Sequence, residues 1–230
     1  MDQALSKVNR HDFVYADLSG RLYAFGYSKG ECPKTWLPHL EELILERPAG
    51  SPVPAIVRRQ EKPEEGNLQV GFSSWLFHQG SRFRVPTALP LTTVERVLTP
   101  YEILKMEARW PAALTSVLAE VRKQEERYQV AVGLTGAAAM ELLTRKPYLH
   151  EGSDVDLIVD QKENGDLEGF FSACVFLSRQ FDRPLDLELQ LPDIGGVKLA
   201  EWLSDQKTVL VKGFQRAEIR LKAELKENRK

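Results

Sequence analysis

The spacing of apolar residues changes near residue 99, and the two halves of the chain predict different elements. In the first half, short apolar alternations separated by turn residues predict four strands, DFVYADL, RLYAFGY, PAIVRRQ and NLQVGFSSW. The pair Ser19-Gly20 is typical of a tight turn and predicts that the first two runs form a β-hairpin. Between the two pairs of strands, WLPHLEELILERPAG predicts a short helix closed by Pro48 and Gly50.

The second half alternates helical and extended patterns. PAALTSVLAEVRKQEERY predicts a helix, QVAVG a strand, LTGAAAMELLT a helix, DVDLIV a strand and RPLDLELQL a further strand. Asn164-Gly165 interrupts the chain before another helix, for which Asp166 is a candidate N-cap. Strands that alternate with helices indicate a layered sheet with helices packed on it. We therefore predict a β-rich domain over residues 1–98 and a second domain over residues 99–230.

Composition narrows the class of protein. The 230 residues include 31 basic and 33 acidic side chains, a formal net charge of −2, so we expect no nucleic-acid partner. Cys32 and Cys174 have no metal-ligand spacing, and Cys174 lies in the apolar run FFSACVFL, which predicts a buried thiol. Apolar runs are too short for a membrane span, and no signal peptide is apparent. We expect a cytoplasmic protein without a membrane partner.

Two aspartates stand in an otherwise apolar strand, SDVDLIV. Side chains alternate faces in a strand, so Asp154 and Asp156 point the same way while Val155 and Leu157 point into the core. Two neighbouring carboxylates repel each other, and a divalent cation between them relieves the repulsion; Mg²⁺ is the hard cation that such oxygens suit. A solvated strand edge is the alternative, although aspartate is a poor strand former.

A glycine and a later strand strengthen the metal hypothesis. Gly136 lies where strand QVAVG gives way to a helix, and a glycine there lets backbone N–H groups approach a phosphate, although a simple turn is the alternative. In LDLELQL, Asp186 and Glu188 share one face and the leucines share the other. If this strand lies beside DVDLIV, either acid completes a site for two-metal phosphoryl transfer.

This pattern resembles the DNA polymerase beta-like nucleotidyltransferases. The block GAAAMELLTRKPYLHEGSDVDLI, from Gly136 to Ile158, is more specifically similar to the phosphoribosyl-dephospho-CoA transferases, the holo-acyl-carrier-protein synthases specific for malonate decarboxylase. Arg10-His11-Asp12 and Ile56-Val57-Arg58-Arg59 also resemble that family. The resemblance implies an α+β fold, with a nucleotidyltransferase-type mixed β-sheet and packed helices after a smaller β-rich N-terminal domain that contacts the substrate or the carrier protein.

The resemblance also implies a reaction. The family transfers the prosthetic group from 2′-(5″-triphosphoribosyl)-3′-dephospho-CoA to a serine of the malonate decarboxylase acyl carrier protein and releases pyrophosphate. Asp154 and Asp156 would hold Mg²⁺, and Asp186, with Glu188 as its rival, would bind a second ion and help to deprotonate the serine. Further candidates would contact the donor phosphates or, for the histidine, the substrate: Gly136, Ala137, Ser153, Arg58, Arg59 and His11. An ordinary core histidine and a solvated strand flank are the alternatives for His11 and for the arginines.

One position departs from the family pattern. The family has serine after the turn glycine, whereas this chain has Ala137, which lacks a hydroxyl for a substrate phosphate. Thr135 or backbone N–H groups could replace it. Two other functions therefore stay open: a nucleotidyltransferase of the same superfamily that uses an ordinary nucleoside triphosphate, and a non-catalytic module that binds the carrier protein.

Overall fold

Two β-sheets organise the chain in a computed structural model that describes residues 8–46, 52–61, 64–78 and 81–227. Contacts divide the chain into a first unit, Met1–Thr99 with Leu143–Tyr148, and a second unit, Pro100–Leu142 with Leu149–Lys230. The division into domains over residues 1–98 and 99–230 stays a prediction.

The first unit contains a five-stranded antiparallel sheet in the order β4-β3-β2-β1-β5. The strands are β1 (Phe13–Ala16), β2 (Ala55–Val57), β3 (Asn67–His78), β4 (Ser81–Pro90) and β5 (Val94–Leu98), and the helices are α1 (Leu18–Ser28) and α2 (Leu37–Leu45). Helix α2 lies within the segment predicted to be helical, whereas Pro48 and Gly50, its predicted closing residues, lie outside the described residues.

The predicted hairpin at Ser19-Gly20 is wrong, because RLYAFGY belongs to helix α1. The Asp17 carboxylate accepts a hydrogen bond from the Gly20 amide at 2.8 Å and so caps the helix N-terminus, which also lowers the pKa of Asp17. Gly20 is needed for close packing rather than for a turn, since a Cβ there would lie 2.2 Å from Thr93 Oγ1. The buried stripe contains Arg21, whose guanidinium donates to the Val53 carbonyl at 3.0 Å. The apolar residues of this segment therefore do not mark the face of α1 that is buried.

The second unit contains a six-stranded mixed sheet in the order β11-β10-β9-β8-β7-β6. Strands β7 and β8 are parallel, and the other neighbours are antiparallel, which confirms the predicted α+β class with a mixed C-terminal sheet. The strands are β6 (Val130–Leu134), β7 (Val155–Gln161), β8 (Leu185–Leu191), β9 (Gly195–Lys198), β10 (Thr208–Lys212) and β11 (Ala217–Leu221). The helices are α3 (Pro100–Leu104), α4 (Thr115–Arg127), α5 (Gly136–Thr144, whose last two residues are assigned to the first unit), α6 (Leu167–Gln180), α7 (Leu199–Leu203) and α8 (Lys222–Glu227).

Helix α6 makes the crossover that parallel strands β7 and β8 require. Its predicted N-cap is confirmed, because the Asp166 carboxylate accepts from the Gly169 amide at 2.8 Å. Phe170 and Cys174 on its inner face are buried, and burial raises the pKa of the Cys174 thiol to about 12. The buried face of the sheet lies on this side: residues Val155, Leu157, Val159, Leu187 and Leu189 are at most 5% exposed. The polar residues of β7 and β8 therefore point to the opposite face.

Candidate metal and phosphate site

The turn between β6 and α5 lies directly against an aspartate of β7. Gly136 has φ +64°, a conformation that disfavours any side chain. A Cβ at this position would lie 1.8 Å from Asp156 Oδ2, so the carboxylate occupies the space that a side chain would fill. The Thr135 amide donates to the Asp156 carbonyl at 3.0 Å and holds the turn against β7. Only glycine allows this carboxylate to approach the start of the helix.

Three carboxylates meet at the N-terminal ends of β7 and β8. Asp156 and Asp186 are register partners across the parallel pair, and Asp154 directly precedes β7. One oxygen from each carboxylate lies within 4.8 Å of the others. Asp154 is exposed and the other two are half-buried, so an ion from solvent can reach them. Strands β7 and β8 therefore lie side by side, and their pairing brings the third carboxylate, Asp186, to the other two.

The spacing of these oxygens fits a small divalent cation. Mg²⁺ binds oxygen ligands at about 2.1 Å in octahedral geometry, which places neighbouring ligands roughly 3 Å apart and opposite ligands roughly 4 Å apart. The three carboxylate oxygens lie within 4.8 Å of one another, which is close to that range. The donor set, all hard oxygen, also suits magnesium.

The loop before β7 is fastened by its own hydrogen bonds. The Ser153 hydroxyl accepts from the His150 amide at 2.9 Å, and Ser153 is 5% exposed. Arg183 donates to the Ser153 carbonyl at 3.0 Å, and the Glu141 carboxylate accepts from the Leu149 amide at 2.8 Å. These contacts fix the residue that precedes Asp154. Ser153 therefore holds the chain that leads into Asp154, and its contact with donor phosphates stays a prediction.

Glu188, the rival of Asp186, lies outside the three-carboxylate cluster. Its carboxylate accepts from Lys212 Nζ at 2.8 Å and is only 12% exposed. It reaches Lys212 across Gly196, where a Cβ would lie 2.0 Å from Glu188 Oε1. Asp186 instead pairs with Lys198, whose Nζ lies 3.2 and 3.3 Å from its two oxygens.

Both lysines lie on strands, β9 and β10, that the apolar pattern did not predict, so neither was a candidate site residue. The alternation in TVLVK, which ends at Lys212, is a strand pattern and could have indicated β10. Strand β9 has only four residues, too few for a periodic signal. The charges that distinguish Asp186 from Glu188 thus come from strands that the pattern did not reveal.

The start of α5 provides the candidate phosphate contacts. The first N–H groups of a helix have no acceptor within the helix and carry its positive dipole end. Ala137 is half-buried at this position. Thr135, considered as a substitute for the missing hydroxyl, is only 5% exposed and offers little surface to a donor. Backbone N–H groups are therefore the better candidates here.

The remaining predicted residues lie in the first unit. Arg58 and Arg59 follow the end of β2; Arg58 is exposed, and Arg59 Nη1 pairs with Glu61 at 2.8 Å. His11 is half-buried with φ +76°, and its amide donates to the Val57 carbonyl at 3.2 Å. Their contacts with substrate stay predictions.

A serine–histidine–glutamate constellation in the first unit is structural. His39 Nε2 lies 2.6 Å from Ser74 Oγ, and His39 Nδ1 lies 3.1 Å from Glu42 Oε2. This order matches a catalytic triad, but a nucleophile must face its substrate. Ser74 is fully buried, and its hydroxyl already accepts from the Leu76 amide at 2.9 Å. The three side chains therefore satisfy one another's hydrogen bonds, and the buried Ser74 hydroxyl cannot meet a substrate.

Fold and site together define a two-unit α+β protein whose second unit carries a candidate three-carboxylate metal centre beside a helix start. Among family models, the phosphoribosyl-dephospho-CoA transferase MdcG C-terminal domain matches residues 102–223, and the corresponding N-terminal domain matches residues 9–100. The chain belongs to the phosphoribosyl-dephospho-CoA transferase family, which is a family of transferase enzymes.

Curated relatives agree with this assignment. A phosphoribosyl-dephospho-CoA transferase of Pseudomonas syringae pv. tomato is 31% identical over 168 residues, 71% of this chain and 74% of the relative. That of Pseudomonas fluorescens Pf-5 is 28% identical over 182 residues, 79% of this chain and 82% of the relative. No solved structure matches the chain significantly. Of the helices in the described residues, none combines the length and apolar character that a membrane crossing requires.

Proposed function

We propose that this chain transfers the phosphoribosyl-dephospho-CoA group from 2′-(5″-triphosphoribosyl)-3′-dephospho-CoA to a serine of the malonate decarboxylase acyl carrier protein. The observation that carries the proposal is the meeting of Asp154, Asp156 and Asp186, whose oxygens lie within 4.8 Å of one another beside Gly136. The names of the relatives support the identity of the transferred group. Mg²⁺ is the proposed cofactor, and the cytoplasm is the proposed compartment.

In this proposal the three aspartates hold the cation. When bound, magnesium would neutralise charge on the triphosphate and on the departing pyrophosphate. Asp154 and Asp156 would be its main ligands, and the missing Cβ of Gly136 leaves room for the Asp156 carboxylate beside the helix start. The backbone N–H groups at the start of α5 would bind oxygens of the donor phosphates.

The chemical step is a displacement at the phosphorus next to the ribose. The serine oxygen forms a bond to this phosphorus, and the bond from phosphorus to the bridging oxygen of pyrophosphate breaks. Asp186 is the proposed acceptor of the serine proton because it is 42% exposed, whereas Glu188 is largely buried in its pair with Lys212. Asp186 can accept the proton only if its pair with Lys198 opens.

The test is mass spectrometry of the acyl carrier subunit after incubation with the donor, Mg²⁺ and this protein. We expect a mass gain equal to the phosphoribosyl-dephospho-CoA group. Asp156→Asn, which removes a ligand charge but little volume, should lower the rate about 100-fold or more. Asp160→Asn is the matched control because Asp160 lies on the same strand, about 13 Å further along at 3.3 Å per residue.

Three outcomes would count against the proposal. Full transfer activity in Asp156→Asn would remove the carboxylate cluster from the mechanism. No mass gain with this donor, together with incorporation of label from an ordinary nucleoside triphosphate, would instead establish a different donor. Failure of the wild-type protein to bind Mg²⁺, combined with an unchanged melting temperature on replacing both Asp154 and Asp156, would favour a non-catalytic carrier-binding module.

A further inference from the structure

Two lysines extend the charged face of the second sheet away from the three carboxylates. Lys198 ends β9 and is the register partner of Glu188, and Lys212 on β10 is the register partner of Gly196. Neither lysine pairs with an acid directly opposite it. Lys198 Nζ lies 3.2 Å from Asp186, and Lys212 Nζ lies 2.8 Å from Glu188. Asp186 and Glu188 thus each have their own lysine, and the absence of a Cβ at Gly196 leaves room for the Glu188 carboxylate to reach Lys212.

The two ion pairs differ in exposure. The side chains of Lys198 and Asp186 are 48% and 42% exposed, whereas those of Lys212 and Glu188 are 28% and 12% exposed. Exposed ion pairs contribute little to stability and open readily, while a pair that shields a buried carboxylate is costly to break. The Lys198–Asp186 pair can therefore exchange its partners, and the Lys212–Glu188 pair is structural.

Asp186 takes part in two interactions that compete for the same oxygens. Lys198 Nζ lies within 3.3 Å of both carboxylate oxygens, and one of these carboxylate oxygens must also belong to the three-oxygen cluster. A divalent cation in that cluster would attract Asp186 and repel the ammonium group. The flexible four-carbon stem of lysine would then allow the ammonium group to move to another anion.

We infer that Lys198 is an exchangeable counter-ion, which neutralises Asp186 before the cation binds and contacts the triphosphate of the donor afterwards. This inference rests on the proposed function. The ammonium group binds phosphate oxygens as a point charge, the usual role of lysine at polyphosphate sites. Once the Lys198–Asp186 pair opens, the Asp186 carboxylate is also available to accept the proton of the serine.

The experiment compares Lys198→Met with Lys212→Met, which removes the same charge from the same face of the sheet. Mn²⁺ binding is measured first, from the electron paramagnetic resonance signal of the free ion at low ionic strength. Binding of inorganic triphosphate is then measured by calorimetry at saturating Mg²⁺. Neither measurement depends on turnover. The variant Lys198→Arg tests whether a positive charge at this position is enough for triphosphate binding.

We expect Lys198→Met to change the two affinities in opposite directions. Mn²⁺ should bind about three- to tenfold more tightly, because a competing and repelling charge is gone. Triphosphate should bind about tenfold more weakly, because a charge-assisted contact is lost. Lys212→Met should change both affinities by no more than about twofold, and Lys198→Arg should bind triphosphate like the wild type.

Each contrary result has a separate meaning. Unchanged triphosphate affinity in Lys198→Met, with Mn²⁺ still bound by the wild type, would overturn the inference and leave the proposed function intact. Equal effects of Lys198→Met and Lys212→Met would also overturn it, since the effect would then come from net charge alone. Mn²⁺ binding that is absent, or is unaffected by Asp156→Asn, would remove the proposed metal site and the inference with it.

Discussion

Gly136→Ala tests the contact on which the proposed metal site depends. Alanine at φ +64° costs roughly 1–2 kcal/mol, because its Cβ crowds the backbone in the left-handed region. The new Cβ would also lie 1.8 Å from Asp156 Oδ2, whereas ordinary contacts begin near 3.4 Å. The carboxylate must therefore retreat by about 1.6 Å, the difference between these two distances.

Such a displacement exceeds what a metal site tolerates. Ligand distances in metal sites hold to about 0.2 Å, so we expect Mn²⁺ affinity to fall at least tenfold. The rate of group transfer should fall about 100-fold, since a misplacement of roughly 1 Å has this effect in enzymes. The Asp156 carboxylate can rotate away, and Asp156 Cβ, 3.0 Å from the new Cβ, must shift by only a few tenths of an ångström. The loss of stability should therefore stay close to the backbone cost.

Gly66→Ala is the matched control, because Gly66 has φ +77° and a Cβ added there would meet no atom within 4 Å. Both variants should lose roughly 2–8 °C in melting temperature, from about 2–4 °C per kcal/mol in a chain of this size. Added Mn²⁺ should raise the melting temperature of the wild type and of Gly66→Ala but not that of Gly136→Ala. If Gly136→Ala binds Mn²⁺ and transfers the group like the control, the close approach of Gly136 and Asp156 has no functional role.

Single contacts elsewhere in the second unit give three further predictions. Arg183→Gln frees the loop before Asp154 and should weaken Mn²⁺ binding about threefold, as measured by electron paramagnetic resonance. An unchanged affinity would show that the loop needs no support from Arg183. Lys222→Met removes a buried ammonium group that donates to the carbonyls of Glu201, Trp202 and Ser204, and should lower the free energy of unfolding by about 2–3 kcal/mol in urea titrations. A loss below about 0.5 kcal/mol would contradict this role. Burial raises the pKa of Cys174 to about 12 from 9.0, so its contribution to stability is full below pH 9 and is lost as the pH rises toward 12. The free energy of unfolding should therefore fall by about 2 kcal/mol less in Cys174→Ala than in the wild type between pH 8 and pH 10.5, and equal losses would refute the assignment.

Helix α1 was mispredicted because its apolar residues are not the residues that its packing buries. The run RLYAFGY predicts the second strand of a hairpin because its apolar residues alternate, yet it forms helix α1. The buried positions of α1 are Gly20, Arg21, Ala24 and Ser28, at helical spacing, while Leu22 and Tyr27 are about half exposed. A buried arginine and three small residues give little hydrophobic signal, so only the packing of α1 on its sheet could reveal the helix.

The sequence by itself determined the second unit from β6 to β8, together with the family of the chain. The long periodic runs, the Asp166 cap and the Asp-Val-Asp strand each depend on residues that are close together in the chain. Such elements can therefore be predicted from the sequence. The sequence also brought two acids of one strand to the same face, because side chains alternate in any strand.

Only the tertiary structure decided between Asp186 and Glu188. The two acids are equivalent in the pattern of β8, and they differ only in what the neighbouring strands place beside them. Gly196 and Lys212 hold Glu188 in a shielded ion pair, whereas Asp186 lies opposite Asp156 and beside Lys198. Such contacts join residues that are distant in the chain, and no local pattern encodes which charge a folded sheet will bring to a carboxylate.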